Sequence, residues 1–295
     1  MRKHYLRLLS ALLVYAAVTS GCAGTESNQK LITVSILPQK YFIDVLTNEA
    51  IEVNVMVPPG SSHSTYSPTS HQFKKLSDSK LYMGIGHLGY EQAWMPRLAE
   101  LNKEMKTVIL SDHIELIAGA CDHGHGHDHG HNHGVDPHIW MSPKAVLDLL
   151  PHIKAALIES FPDLKDTIEA NYTQLHQSIS EADQGMRSVT SQLPRKEFLI
   201  FHPALSYLAR DYGLVQTAVE QDGKEPSPAY LASIIKKAKE ESIPVIFIQE
   251  EYDIRSAQTI SEEAGIALVQ INPMAYNWLE AMNELTQTLQ NHLNE

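Results

Sequence analysis

Between Pro162 and Pro194 a single apolar stripe runs without a break. Leu164, Ile168, Tyr172, Leu175, Ile179, Ala182, Met186, Val189 and Leu193 follow one another in steps of three and four. That spacing stacks side chains on one face of an α-helix. A proline is tolerated where a helix begins and stops it where it ends. The two prolines therefore bracket one helix of about 30 residues, roughly 45 Å long. Nothing in it has the composition of a flexible linker. The chain must be built around a rigid rod.

On either side of the rod, short apolar runs alternate with helical patterns. The first group of strand candidates is LITVSIL (31–37), IEVNVMVP (51–58), LYMGIG (81–86) and TVIL (107–110). The second is EFLIFH (197–202), LVQTAVE (214–220), VIFIQE (245–250) and LVQINP (268–273). Several are β-branched and nearly continuous in apolar character, as expected of parallel strands covered on both faces. PAYLASIIKKAKEE (228–241) and SAQTISEEAG (256–265) are helical, and a further helix at about 143–159 starts from Ser142 with Pro143 in its first turn. The order predicts an α/β protein of two Rossmann-like lobes. Each has a mainly parallel four-stranded sheet, and one long rigid helix joins them. The expected units are a targeting segment at 1–21, a tether at 22–30, an N-terminal lobe at 31–160, the linking helix at 161–194 and a C-terminal lobe at 195–295. Ligands of such sheets bind beyond the carboxyl ends of the strands, so a shared site belongs in the cleft between the lobes.

The first residues, MRKHYLRLLSALLVYAAVTSGC, have a basic start, an apolar stretch from Leu8 to Val18 and small residues before Cys22. The stretch is shorter than the roughly 20 residues a spanning helix needs, so it reads as a cleaved export signal. The ending T-S-G-C resembles a bacterial lipobox, which would make Cys22 the lipid-bearing first residue of the mature chain; the alternative is a plain signal peptide with an incidental cysteine. Removing the segment takes away three basic residues and no acidic ones, moving the formal charge from −12 to −15. So acidic a chain is a poor partner for nucleic acid. With Cys22 acylated, Cys121 is the one remaining thiol and no intramolecular disulfide can form. It borders a histidine string, where it is either a soft extra ligand or an unpaired loop thiol.

That string, CDHGHGHDHGHNHG, places His123, His125, His127, His129, His131 and His133 at alternate positions. Its glycines and lack of apolar residues predict a mobile surface loop spanning 122–134. Imidazole ligates zinc, copper and nickel, but a floppy string loses chain entropy on closing around an ion. Weak, multiple and exchangeable binding follows. The loop is a metal collector, and the specific site lies elsewhere. Three other histidines occupy cleft-facing loops: His63 after the strand at 51–58, His138 just before the Ser142–Pro143 helix start, and His202 at the end of EFLIFH. Three neutral imidazoles suit zinc, with a fourth ligand from the protein or water at about 2.0 Å.

Taken in order, G-S-S-H-S-T-Y-S-P, the histidine loop, D-P-H-I-W-M-S-P, the long helix and F-H-P-A-L-S-Y resemble the zinc- and manganese-binding solute-binding proteins of bacterial ABC transporters. The resemblance covers essentially the whole mature chain, and the histidine loop points to the zinc branch. It implies a two-lobed, lipid-anchored monomer in the cell envelope or periplasm that captures Zn²⁺ between its lobes and delivers it to a membrane permease. The family's ligand positions carry over onto His138 and His202. At the first motif the family's usual histidine position holds Ser64, and His63 stands one residue earlier, where some zinc members carry an acidic ligand. The family's fourth position, often aspartate, falls on Asn272; water, Asn272, His87 or Glu251 would complete the shell. Two other readings remain: a zinc-dependent hydrolase, against which there is no H-E-x-x-H, and a manganese-binding member of the same family. Manganese prefers oxygen ligands. No enzymatic activity is expected.

Overall fold

The computed structural model describes residues 30–118, 134–221 and 224–294. The export segment, the tether except Lys30, both cysteines and the histidine string at 123–133 lie outside those residues. The first sheet comprises β1 (Leu31–Val34), β2 (Glu52–Val55), β3 (Leu81–Gly84) and β4 (Lys106–Ile109), in the order β2-β1-β3-β4. The second comprises β5 (Glu197–Ile200), β6 (Val215–Ala218), β7 (Val245–Gln249) and β8 (Ala267–Ile271), in the order β6-β5-β7-β8. Every pairing is parallel. The two sheets therefore repeat one topology, and all eight strands coincide with expected runs. The inner strands β1, β3 and β7 are buried along their whole length, whereas the outer ones are partly exposed. This is why the inner strands read as unbroken apolar runs.

The helices are α1 (Leu37–Thr47), α2 (Ser70–Ser77), α3 (Gly89–Leu101), α4 (Pro143–Ser160), α5 (Lys165–Gln192), α6 (Ser206–Tyr212), α7 (Pro228–Glu240), α8 (Ile254–Ala264) and α9 (Trp278–Leu293). The rod is α5, 28 residues long and hence about 42 Å. It buries Ile168, Leu175, Ile179, Ala182 and Met186 from the expected stripe. It packs against α1 and α4, which belong with the first sheet, and against α9, which follows the second. Two strand runs stop earlier than their apolar character suggests. The β1 run gives way to α1, with proline in its first turn. The β2 run ends at Val55, yet Met56 N–H and Val57 N–H still donate to Val34 O and Ser35 O, at 2.9 Å each. The backbone pairing thus carries on to the loop that holds His63.

One apolar core runs from the first sheet past α5 to one face of the second, where Phe198, Ile200, Val245 and Phe247 join it. The alternate residues Leu199, Phe201, Ile246 and Ile248 face a separate cluster on the other side, the two-residue period of a strand. Hydrogen bonds also cross between the halves. Trp140 Nε1 donates to Pro273 O at 2.8 Å, and Trp278 Nε1 to Trp140 O at 2.7 Å. Ser142 Oγ donates to Asp211 Oδ2 at 2.6 Å, and Lys144 N–H to Tyr212 Oη at 3.1 Å. Among the described residues no helix is long and apolar enough to cross a membrane.

Candidate metal centre

Three loops at carboxyl ends of strands bring His63, His138 and His202 together. His63 follows β2 in a run of turns, with Tyr66 N–H donating to Ser62 O at 2.9 Å. The far end of that loop is set by Gln72, whose Nε2 donates to Val55 O and Met56 O at 2.8 Å each while its Oε1 accepts from Tyr66 Oη at 2.9 Å. A polar loop thereby folds back far enough to leave His63 only 3% exposed.

His138 stands just ahead of α4, whose start is fixed by Ser142 Oγ accepting from Ala145 N–H at 3.3 Å. Asp136 organises this segment. Its Oδ1 accepts from the backbone N–H of His138 at 2.9 Å and pairs with the Nδ1 of the same residue at 2.8 Å. His202 follows β5, and Gln249 clasps its backbone: Gln249 Oε1 accepts from His202 N–H at 3.3 Å, and Gln249 Nε2 donates to His202 O at 2.7 Å. Glu220 Oε1 lies 2.6 Å from His202 Nδ1.

A carboxylate at Nδ1 holds the proton there and leaves Nε2 with a free lone pair. In both residues that lone pair points inward. His138 Nε2 lies 3.0 Å from His63 Nε2 and 3.2 Å from His202 Nε2. The ligating atoms of all three rings lie within 4.8 Å of one another, and the group is buried. Around a tetrahedral ion with bonds of about 2.0 Å, neighbouring nitrogens stand roughly 3.3 Å apart. The spacing is that of ligands around one small ion. His63 differs in one respect: its buried Nδ1 has no hydrogen-bond partner.

Burial lowers the pKa of His63 far below the ordinary imidazole value, and the neighbouring His138 and His202 lower it further. His138 is also lowered, first by burial and then by His202, against the partial opposition of Asp136 and Glu220. Burial works to raise the Asp136 carboxyl, but the His138 ring and hydrogen bonds from His138 and Ser206 hold it below its usual range. At neutral pH the centre thus presents uncharged imidazoles backed by charged carboxylates, the protonation pattern that transition-metal binding requires.

Of the positions weighed for a fourth ligand, neither His87 nor Glu251 belongs to the three-histidine group. His87 sits on the turn after β3, where Gly86 has φ +117° and Glu91 gathers the amides of Ile85, Gly86 and Leu88. Glu251 is close enough to His202 to feel its charge, but burial raises its carboxyl pKa. Asn272 Oδ1 accepts from Met274 N–H at 3.0 Å, capping the turn after β8. The carboxylates behind the ligands were not among the expected site residues. Asp136 was visible in D-P-H. Glu220 follows from register: Ile200 pairs with Ala218, so two residues further along, His202 and Glu220 stand side by side.

The chain matches the model of the family described as zinc-uptake complex component A, periplasmic, over residues 32–292. The zinc-binding lipoprotein AdcA of Streptococcus pneumoniae is 28% identical over 286 residues, which is 93% of this chain but 56% of the relative. The chain thus spans a little over half the length of that streptococcal protein. The high-affinity zinc uptake system protein ZnuA of Bacillus subtilis is 27% identical over 263 residues, covering 87% of this chain and 82% of the relative. Among solved structures, a crystal structure of ZnuA superposes with a TM-score of 0.81 at 31% identity, over 91% of this chain and all of that one. Zinc-bound AdcA from S. pneumoniae gives 0.73 at 25% identity, over 90% of this chain and 57% of that one. With matching sequence over nearly all its folded length and the same two-sheet architecture, the chain belongs to the ZnuA family of zinc-uptake components.

Proposed function

We propose that this protein captures Zn²⁺ from the cell envelope in the cleft between its two sheets, with His63, His138 and His202 as ligands, and presents it to the membrane permease of an ABC transporter. The observation that carries the reading is the convergence of three Nε2 atoms from three separate loops, two of them aimed by carboxylates. A cluster made only of nitrogen donors favours zinc over manganese. Its relatives bear the names zinc-binding lipoprotein and high-affinity zinc uptake protein. The fourth position is taken by water or by one of His87, Glu251 and Asn272. An acyl group on Cys22 anchors the exported chain as a monomer, and the histidine string at 123–133 raises the local supply of zinc beside the cleft. In this reading residues 31–160 and 195–295 act as two lobes that 161–194 holds at a fixed separation. The site binds its cargo and catalyses no reaction.

The test is a crystal grown with zinc and measured at the zinc absorption edge, together with calorimetric titration of the His202→Ala variant. An anomalous peak between the three imidazoles, and loss of tight binding in the variant, support the reading. A peak elsewhere, or a His202→Ala protein that binds as tightly as the parent, sinks it.

A further inference from the structure

Tyr252 lies in the turn between β7 and α8. Its N–H donates to Gln249 O at 3.2 Å, and Gln249 is the residue whose side chain clasps the backbone of His202. The Tyr252 ring lies nearly flat on the His202 imidazole, with centroids 5.1 Å apart and planes 18° from parallel. Its phenol makes side-chain hydrogen bonds to Ser62 and Ser64, the residues on either side of His63. One side chain therefore covers a candidate ligand from the second half of the molecule and grips the loop that carries another from the first half.

That grip matters because of what His63 lacks. Asp136 fixes the ring of His138 and Glu220 fixes that of His202, whereas His63 Nδ1 has no partner. The placement of His63 thus depends on its loop, in which Ser64 and Thr65 are exposed. An ion held by three imidazoles leaves when one of them swings away, and the ligand without a carboxylate behind it is the one least restrained. We propose that Tyr252 is a positioning residue that latches the His63 loop against His202, and that release of this latch sets how fast a captured metal ion leaves the cleft. The inference rests on the zinc-binding reading above and adds to it the step that controls dissociation.

The experiment measures zinc release from the full-length protein into excess chelator by stopped flow. Tyr252→Phe keeps the stacked ring and removes only the hydroxyl. Loss of a neutral hydrogen bond from the bound state predicts release about threefold to tenfold faster. The melting temperature of the metal-free protein and the visible spectrum of the cobalt-substituted site should not change. A Ser62→Ala, Ser64→Ala double variant should release zinc at the Tyr252→Phe rate, and adding Tyr252→Phe to it should bring no further acceleration, because both act on one contact. Release from Tyr252→Phe at the parent rate, or accelerations that simply add, would overturn the latch. Failure of the parent protein to take up zinc would instead overturn the reading on which the latch rests.

Discussion

Trp278 donates its indole N–H to the carbonyl of Trp140 at 2.7 Å, and Trp140 in turn donates to Pro273 O at 2.8 Å. Trp140 is two residues beyond His138 and 1–2% exposure describes both indoles. The segment that supplies the central ligand is therefore bolted to the turn that leads into α9. Phe42 of α1 packs on Trp278 with centroids 5.2 Å apart, and Tyr276 Oη donates to Asp44 Oδ2 at 2.7 Å. The C-terminal helix and the first sheet thus share one fixed contact behind the site.

Trp278→Ala should cost about 3–5 kcal/mol of stability, the usual range for emptying a large aromatic site. Trp278→Phe should cost about 1–3 kcal/mol, since it refills most of the volume but leaves the Trp140 carbonyl unpaired in the interior. Urea unfolding of the metal-free protein checks both. The Phe variant should still bind one zinc ion tightly, because no ligand has been touched. Equal stability of parent and Ala variant would show that the contact contributes nothing.

Asp136→Asn and Glu220→Gln should each weaken zinc binding about 10-fold to 100-fold, the usual effect of removing an acceptor behind a metal-bound histidine. Each amide can donate to Nδ1 and so favour the wrong tautomer, with the proton on the ligating nitrogen. Competition against a chelator of known affinity measures the effect. A change smaller than twofold in both variants would mean that the carboxylates orient the apo rings without tuning the metal.

The strand order and the rod were legible in the sequence for a shared reason. Both are repeating patterns, the rod with a period near 3.6 over nine positions and the inner strands as unbroken apolar runs, and covering on two faces leaves such patterns no room for polar residues. The ligands were legible because histidine is uncommon at the end of a buried strand and immediately before a helix start. What could not be read is the pairing of residues remote in sequence. Glu220 stands behind His202 through the β5–β6 register, Trp278 reaches Trp140 across 138 positions, and Tyr252 meets the His63 loop only once both halves are folded. The fourth ligand stayed open for the same reason: His87, Glu251 and Asn272 all follow strands, and topology alone does not rank them.

Acidification should weaken both metal binding and the metal-free fold. His63 and His138 have folded-state pKa values below the ordinary 6.5. Below pH 6.5 the unfolded chain therefore binds protons that the folded one refuses, and stability falls as pH drops from 6.5 toward the folded values; above 6.5 these two groups contribute no further slope. Thermal melts of the metal-free protein between pH 7.5 and 5 should show the loss beginning near 6.5. In His63→Asn the slope should be shallower. An identical slope in parent and variant would remove His63 from the account.

Removing residues 122–134 and joining the ends with a short glycine-serine linker should abolish weak binding of additional ions and leave one tight site. The base of the loop is closed independently of its content. Ala118 and Val135 form an antiparallel bridge, Asp136 N–H donates to Ile117 O at 2.9 Å, and Tyr207 Oη, from the other half, donates to Asp136 O at 2.9 Å. These contacts hold Asp136, and through it the His138 ring, whether or not the histidine string is present. Isothermal titration should show the stoichiometry falling to one with the affinity of the tight phase changed by less than about threefold, under 1 kcal/mol. If the deletion abolished the tight phase, the string itself would be the site, and the convergence of His63, His138 and His202 would need another explanation.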